Sequence, residues 1–148
     1  MGRGPSTALC VAAALAAFVP EGAQAELRVT PKGSCTVRDV KLIEAAGGGH
    51  GDGSFTKLNA DCGAKAWNAF TGINPGSYKG CLKRAAPVSE PCAQCFAEGG
   101  VWGYSTCKWH CMVSWCSASC IGCNKAHLDK LDACIGATAP RPTICTDA

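Results

Sequence analysis

The chain has 148 residues, 13 of them cysteine and 18 glycine, with a formal charge of +3 and only 17% charged side chains. A mild positive charge scattered along the chain is not the clustered footprint of a nucleic-acid binder. No apolar stretch long enough to cross a bilayer follows the first 25 residues, so no transmembrane segment is expected in the mature chain.

Residues 1–25 read as a signal peptide. Arg3 lies near the amino terminus, an apolar run extends from Thr7 to Val19, Pro20 breaks it, and Ala23-Gln24-Ala25 offers the small residues that a signal peptidase accepts. The apolar run is too short to span a bilayer comfortably. Cleavage after Ala25 removes Cys10 and leaves twelve cysteines: Cys35, Cys62, Cys81, Cys92, Cys95, Cys107, Cys111, Cys116, Cys120, Cys123, Cys134 and Cys145. An even count permits complete pairing, and an export signal points independently to the same oxidising compartment. These twelve are read as structural disulfides, with their pairing left open. Arg3 and Glu21 cancel, so the mature charge stays at +3.

The remainder, residues 26–148, has the length of one domain. It divides into a loop-rich half, 26–86, and a helical cysteine-rich half, 87–148. The first half opens on a short extended segment, Leu27–Thr30. Val37, Val40, Lys41 and Glu44 then recur at helical spacing, with Gly47 placed as a C-terminal cap, although the β-branched content leaves a strand open. Gly47 to Gly53 reads as a flexible, solvated loop. Asn59 or Asp61 caps a short helix through Lys65, Trp67 and Phe70 that Gly72 ends. Asn74-Pro75-Gly76 is a turn, and a further short segment, Tyr78 to Ala86, carries Cys81.

In the second half, Ser89 is placed as the N-cap of a helix bearing Cys92 and Cys95, with Gly99-Gly100 as its stop. A central helix is expected from Tyr104 to Ile121. At 100° per residue it carries Cys107 and Cys111 on one side, with Cys116, Cys120 and Cys123 on the other. A turn around Gly99–Gly103 would make the two helices antiparallel and favour Cys92–Cys111 and Cys95–Cys107 pairs. Asn124 caps a last helix, Lys125 to Ile135, whose inner stripe is Leu128, Leu131, Cys134 and Ile135. Gly136 ends it, and Cys145 pins the tail. The expected fold is therefore a small, mostly α-helical, disulfide-rich domain, with short helices and long loops around a central doubly stapled helix.

The chemistry-bearing motifs are weak. Cys92-Ala-Gln-Cys95 lacks the βαβ context of a redox pair. With Cys120-x-x-Cys123 it has a metal-ligand spacing, but longer than a zinc ribbon and in an oxidising setting. No histidine follows either pair, as covalent haem attachment requires. The loop holding His50 and Asp52 lacks the Gly-Lys-Ser/Thr of a phosphate loop and is a single imperfect copy of a calcium-binding repeat. His50, His110 and His127 are the only histidines, and no Gly-x-Ser-x-Gly elbow accompanies them. No enzyme activity, cofactor or metal is expected. Trp109 and Trp115 fall near the cysteine faces and are read mainly as cover for disulfides. Trp102 with Tyr104, at the interhelical turn, is the candidate partner contact.

These features together predict an exported, non-enzymatic, disulfide-stapled protein that serves as a binding module or small structural subunit, with a protein or a membrane complex as its partner. A secreted toxin, antimicrobial or effector is the second reading, and a cysteine-dependent redox or zinc protein the third. The expected destination is extracellular, with an oxidising organelle lumen such as the thylakoid lumen as the alternative.

Overall fold

The structure is a computed structural model that describes residues 33–145; the leader at 1–25 and the extended segment Leu27–Thr30 lie outside the described residues. Six helices make up most of it: α1 (Val37–Ala46), α2 (Phe55–Ala66), α3 (Pro75–Ala85), α4 (Glu90–Cys111), α5 (Ala118–Asn124) and α6 (Leu128–Ile135). A single short 3-10 turn, Lys125–His127, joins α5 to α6. The half read as loop-rich thus contains three helices.

Helix α1 forms where the sequence places it. Thr36 and Asp39 make a capping box, the Thr36 hydroxyl accepting from the Asp39 amide while the Asp39 carboxylate accepts from the Thr36 amide. Gly47, at a φ of 73°, ends the helix as expected.

The second helix starts earlier than predicted. Ser54 is its N-cap, accepting from the Lys57 amide, and Phe55 anchors it in the core. Asn59 and Asp61 are used otherwise: Asn59 accepts the Tyr78 hydroxyl at 2.8 Å, and Asp61 pairs with Lys57 one turn away. The helix also stops sooner. Asn68 Oδ1 accepts the Phe70 and Thr71 amides, folding the chain into a tight turn in place of a further helical turn. Strand β1 (Trp67–Asn68) consequently pairs antiparallel with β2 (Gly72–Ile73), with Trp67 opposite Ile73. Asn74-Pro75 begins α3: the Asn74 side chain accepts from the Ser77 amide, and Pro75 occupies the first turn, where its missing N–H costs nothing.

Helix α4, 22 residues long, is the axis of the fold. Gly99 and Gly100 do not stop it. They lie inside it and let neighbours approach; a Cβ on Gly100 would sit 2.6 Å from the ring of Tyr78 on α3. With no turn at 99–103, Cys92 and Cys111 stand roughly 28 Å apart along one helix at 1.5 Å per residue, and the pairs Cys92–Cys111 and Cys95–Cys107 do not form. The four cysteines of α4 instead reach four different partners: Cys35–Cys92, Cys95–Cys134, Cys107–Cys123 and Cys111–Cys120. Cys62–Cys81 ties α2 to α3, and Cys116–Cys145 pins the tail.

The predicted helix from Tyr104 to Ile121 is likewise broken, between Cys111 and Ala118. Its two opposed cysteine faces could not meet on one rod. The chain turns back after α4, Ser117 caps α5 by accepting from the Cys120 amide, and the two faces then oppose each other as Cys107–Cys123 and Cys111–Cys120. A doubly stapled central helix is present, shifted toward the amino terminus.

The core is small and rich in sulfur. Phe55 and Phe96 meet edge to face with ring centroids 4.9 Å apart, and Ile43, Leu82, Ala93, Ala97 and Ile135 close around the cystines. In α6 Ile135 is buried, Leu131 and Cys134 pack against the core, and Gly136 ends the helix in the left-handed region at a φ of 77°. Asn124 turns back to the Cys120 carbonyl and does not cap α6. The glycine loop is largely exposed, as expected, but it is tethered to the tail: Gly49 donates to the Arg141 carbonyl at 2.9 Å and His50 Nδ1 meets the Thr143 hydroxyl at 2.7 Å. A side chain at Gly48 would place its Cβ 2.4 Å from the Arg141 carbonyl oxygen, so glycine is what permits the close approach.

Candidate functional site

All twelve cysteines from Cys35 to Cys145 are in disulfides, so neither C-x-x-C pair presents a thiol. Cys92 and Cys95 diverge to Cys35 and Cys134, and Cys120 and Cys123 to Cys111 and Cys107. Among the described residues no three histidine, cysteine, aspartate or glutamate side chains converge as a metal-binding group. His50 and His110 each face a hydroxyl, of Thr143 and Ser119 respectively, and among the described residues neither has a carboxylate partner.

His127 is the more unusual histidine. Its ring stacks on Trp102 at 4.5 Å, and its Nδ1 is buried without a hydrogen-bond partner among the described residues. Burial pushes its pKa below the usual histidine value, and Lys130 adds to the effect. The neutral ring is therefore the form that fits this stack.

The Trp102–Tyr104 pair lies in the middle of α4, not at a turn. Both side chains are half-buried, Trp102 against His127 and Tyr104 against the hairpin, where a Cβ on Gly72 would come within 2.8 Å of the tyrosine ring. Trp102 also lines a shallow open groove with Pro75, Glu98 and Val101.

The exposed apolar surface lies further along. Trp109 is 74% exposed, Met112 69%, Val113 89% and Phe70 96%, and these are among the largest apolar side chains the molecule shows to solvent. Helical geometry explains the first of these. With Val101 at 0°, Ser105, Trp109 and Met112 fall within about 80° of it, whereas Cys107 and Cys111 fall at roughly 240–280°. The two cystines turn their side of α4 toward α5, so the stripe Val101–Ser105–Trp109–Met112 faces outward.

The hairpin abuts this end through Gly72 and Tyr104. Lys108 bridges two of the aromatics of α4, with its ammonium 5.5 Å from the Tyr104 ring and 5.0 Å from the Trp109 ring. His110 and Ser119 join at 2.9 Å, and the Ser117 hydroxyl donates to the His110 carbonyl, which fastens the turn after α4. The end of α4 and the turn after it thus present Trp109, Met112 and Val113 to solvent on a covalently fixed support, and the hairpin that abuts Tyr104 presents Phe70. On a continuous helix Trp109 would cover a disulfide; the break after Cys111 leaves it exposed. The signal for the break is Ser117, a serine followed three residues later by the Cys120 amide it caps.

No protein-family model, curated protein or solved structure matches this chain. None of the described helices is long and apolar enough to cross a membrane.

Proposed function

We propose that this protein is an exported, non-enzymatic binding module whose working surface is the exposed end built from Trp109, Met112, Val113 and the hairpin tip at Phe70. The observation that supports it most is the exposure of Trp109, Met112 and Val113 at the end of α4 that Cys107–Cys123 and Cys111–Cys120 fasten to α5, with Phe70 exposed on the hairpin between α2 and α3, which Cys62–Cys81 ties together. Large apolar side chains clustered in solvent mark interaction surfaces. A rigid support reduces the ordering cost of using them. Six disulfides fit an oxidising destination, and the pattern of residues 1–25 supports export.

Oxidative footprinting tests the reading. Met112 and Trp109 are to be labelled in the purified protein and again in the unfractionated extracellular or lumenal fluid and membranes from which it is isolated. Protection of both residues in the native mixture is the expected result. Equal labelling in the two settings would contradict a binding role for this end.

A further inference from the structure

We infer that the surface which occupies this end is an anionic lipid bilayer, with the protein lying on the membrane interface and not crossing it. The inference rests on the binding-module reading above and specifies its partner.

Three observations lead there. The first is the distribution of carboxylates. None occurs from residue 62 to 89, which includes the hairpin, or from residue 99 to 128, which includes the exposed half of α4, the turn after it and α5. Glu90 and Glu98 are confined to the first half of α4, and Asp129 and Asp132 to α6. The same carboxylate-free segments supply Lys65, at the base of the hairpin, together with Lys108 and Lys125. Among the described residues, the hairpin, the second half of α4, the turn after it and α5 therefore carry or adjoin cations and carry no anions. Anionic headgroups attract such a surface.

The second is the kind of side chain exposed. Tryptophan and phenylalanine with flanking lysine are the composition of side chains that settle at the boundary between headgroups and acyl chains, the rings entering and the ammonium staying with the phosphates. Lys108, held against the faces of Tyr104 and Trp109, places its charge at the edge of the aromatic group. The third is shape. Phe70 stands on a hairpin tip, while Met112 and Val113 stand on the turn at the end of α4. These side chains stand on turns and are 69–96% exposed, so they can enter a deformable surface without rearranging the fold.

The experiment uses the fully oxidised protein with large unilamellar vesicles of phosphatidylcholine containing phosphatidylglycerol, and with vesicles of phosphatidylcholine alone. Flotation measures binding and tryptophan emission reports entry into the interface. Binding to the anionic vesicles with a blue shift, weakened by added salt, is expected. Trp109→Ser and Phe70→Ser each lower the partition coefficient by about tenfold or more, as the loss of a buried aromatic side chain implies. Lys108→Gln lowers it about fivefold on anionic vesicles, the loss of one lysine near the charged surface. Val37→Ser changes exposed apolar area on α1, a helix that meets the far end of α4 through Asp39 and Ser89, and leaves binding unchanged. Mass spectrometry of each variant, showing six intact disulfides, separates lost contact from misfolding.

Failure to bind either vesicle, with Trp109 and Met112 still protected in the native mixture after lipid extraction, overturns the membrane inference and leaves a protein-binding module. Failure to bind vesicles with no protection in any native fraction overturns both. Equal binding of wild type and Trp109→Ser also overturns the inference, because it assigns any lipid affinity to another surface.

Discussion

The Asp39 carboxylate receives the backbone amide of Ser89 at 2.8 Å and its hydroxyl at 2.6 Å, joining residues fifty positions apart at the starts of α1 and α4. The same carboxylate closes the capping box with Thr36, so one buried side chain caps two helices. Ser89 occupies the N-cap position the sequence indicates, but its hydroxyl is spent on Asp39 and not on its own helix.

Replacing Asp39 by Asn should therefore cost about 2 kcal/mol, because donors that met an anionic acceptor are left poorly matched, while Ser89→Ala should cost about 1 kcal/mol. The two should not add, since they share the interaction. Burial alone would raise the Asp39 pKa, but the hydrogen bonds from the Ser89 hydroxyl, the Thr36 and Ser89 amides and the Thr36 hydroxyl together hold it below 3.8. The unfolded chain then takes up this proton first as pH falls. The contribution is complete above pH 3.8 and disappears as pH falls through the lower folded value. Denaturant unfolding from pH 7 to pH 2 should show this loss in the wild type and not in Asp39→Asn.

His127 has a folded pKa below its ordinary value of 6.5, so the unfolded state binds its proton more readily. Stability from the neutral stack is full above pH 6.5 and declines as pH falls toward the folded value. Tryptophan emission should change over the same range as the imidazolium leaves Trp102. His127→Phe keeps an aromatic partner without a titratable group and should remove that change.

Two glycines test the packing of the hairpin and of α3 on α4. Gly72 has a φ of 79°, and a Cβ there would press on Tyr104; Gly72→Ala should cost about 1–2 kcal/mol, since both the left-handed backbone and the contact oppose it. Gly100→Ala should cost about 1–3 kcal/mol by driving Tyr78 off its buried site, even though alanine is the better helix former. Thermal unfolding of both variants checks the sign. A stabilised Gly100→Ala would show that Tyr78 can yield.

The disulfides should differ in worth with the loop each closes. Cys35–Cys92 spans 57 residues and Cys111–Cys120 spans nine. On the chain-entropy scale, replacing both members by alanine costs about 4 kcal/mol for the first and about 2.5 kcal/mol for the second. Denaturant midpoints of the two double variants give the comparison. Equal losses would mean that local packing, not loop closure, sets their value.

Much of the fold could be read from residue order because it depends on local chemistry. The start and end of α1, Ser89 as the first residue before α4, and Gly136 after α6 are all set by side chains within a few positions. The misreadings come from contacts made far along the chain. Gly99 and Gly100 resemble a helix stop until Tyr78 is seen to need the surface of Gly100, and Asn59 resembles a cap until Tyr78 claims it. Cysteine spacing showed that the central helix must be stapled on more than one side. It could not show which partners, because a break after Cys111 converts two faces of one helix into two facing helices. The exposure of Trp109, Met112 and Val113 follows from that break, and so the candidate surface was the least legible part.

The disulfide map of the oxidised protein bears most directly on the account, because the exposed end exists only if α5 is fastened to α4. Proteolysis without reduction, followed by mass spectrometry of the linked peptides, should give Cys107–Cys123 and Cys111–Cys120, together with Cys35–Cys92 and Cys95–Cys134. Recovery of Cys92–Cys111 and Cys95–Cys107 would mean that α4 folds back at Gly99–Gly103, and the surface carrying Trp109 and Met112 would not exist.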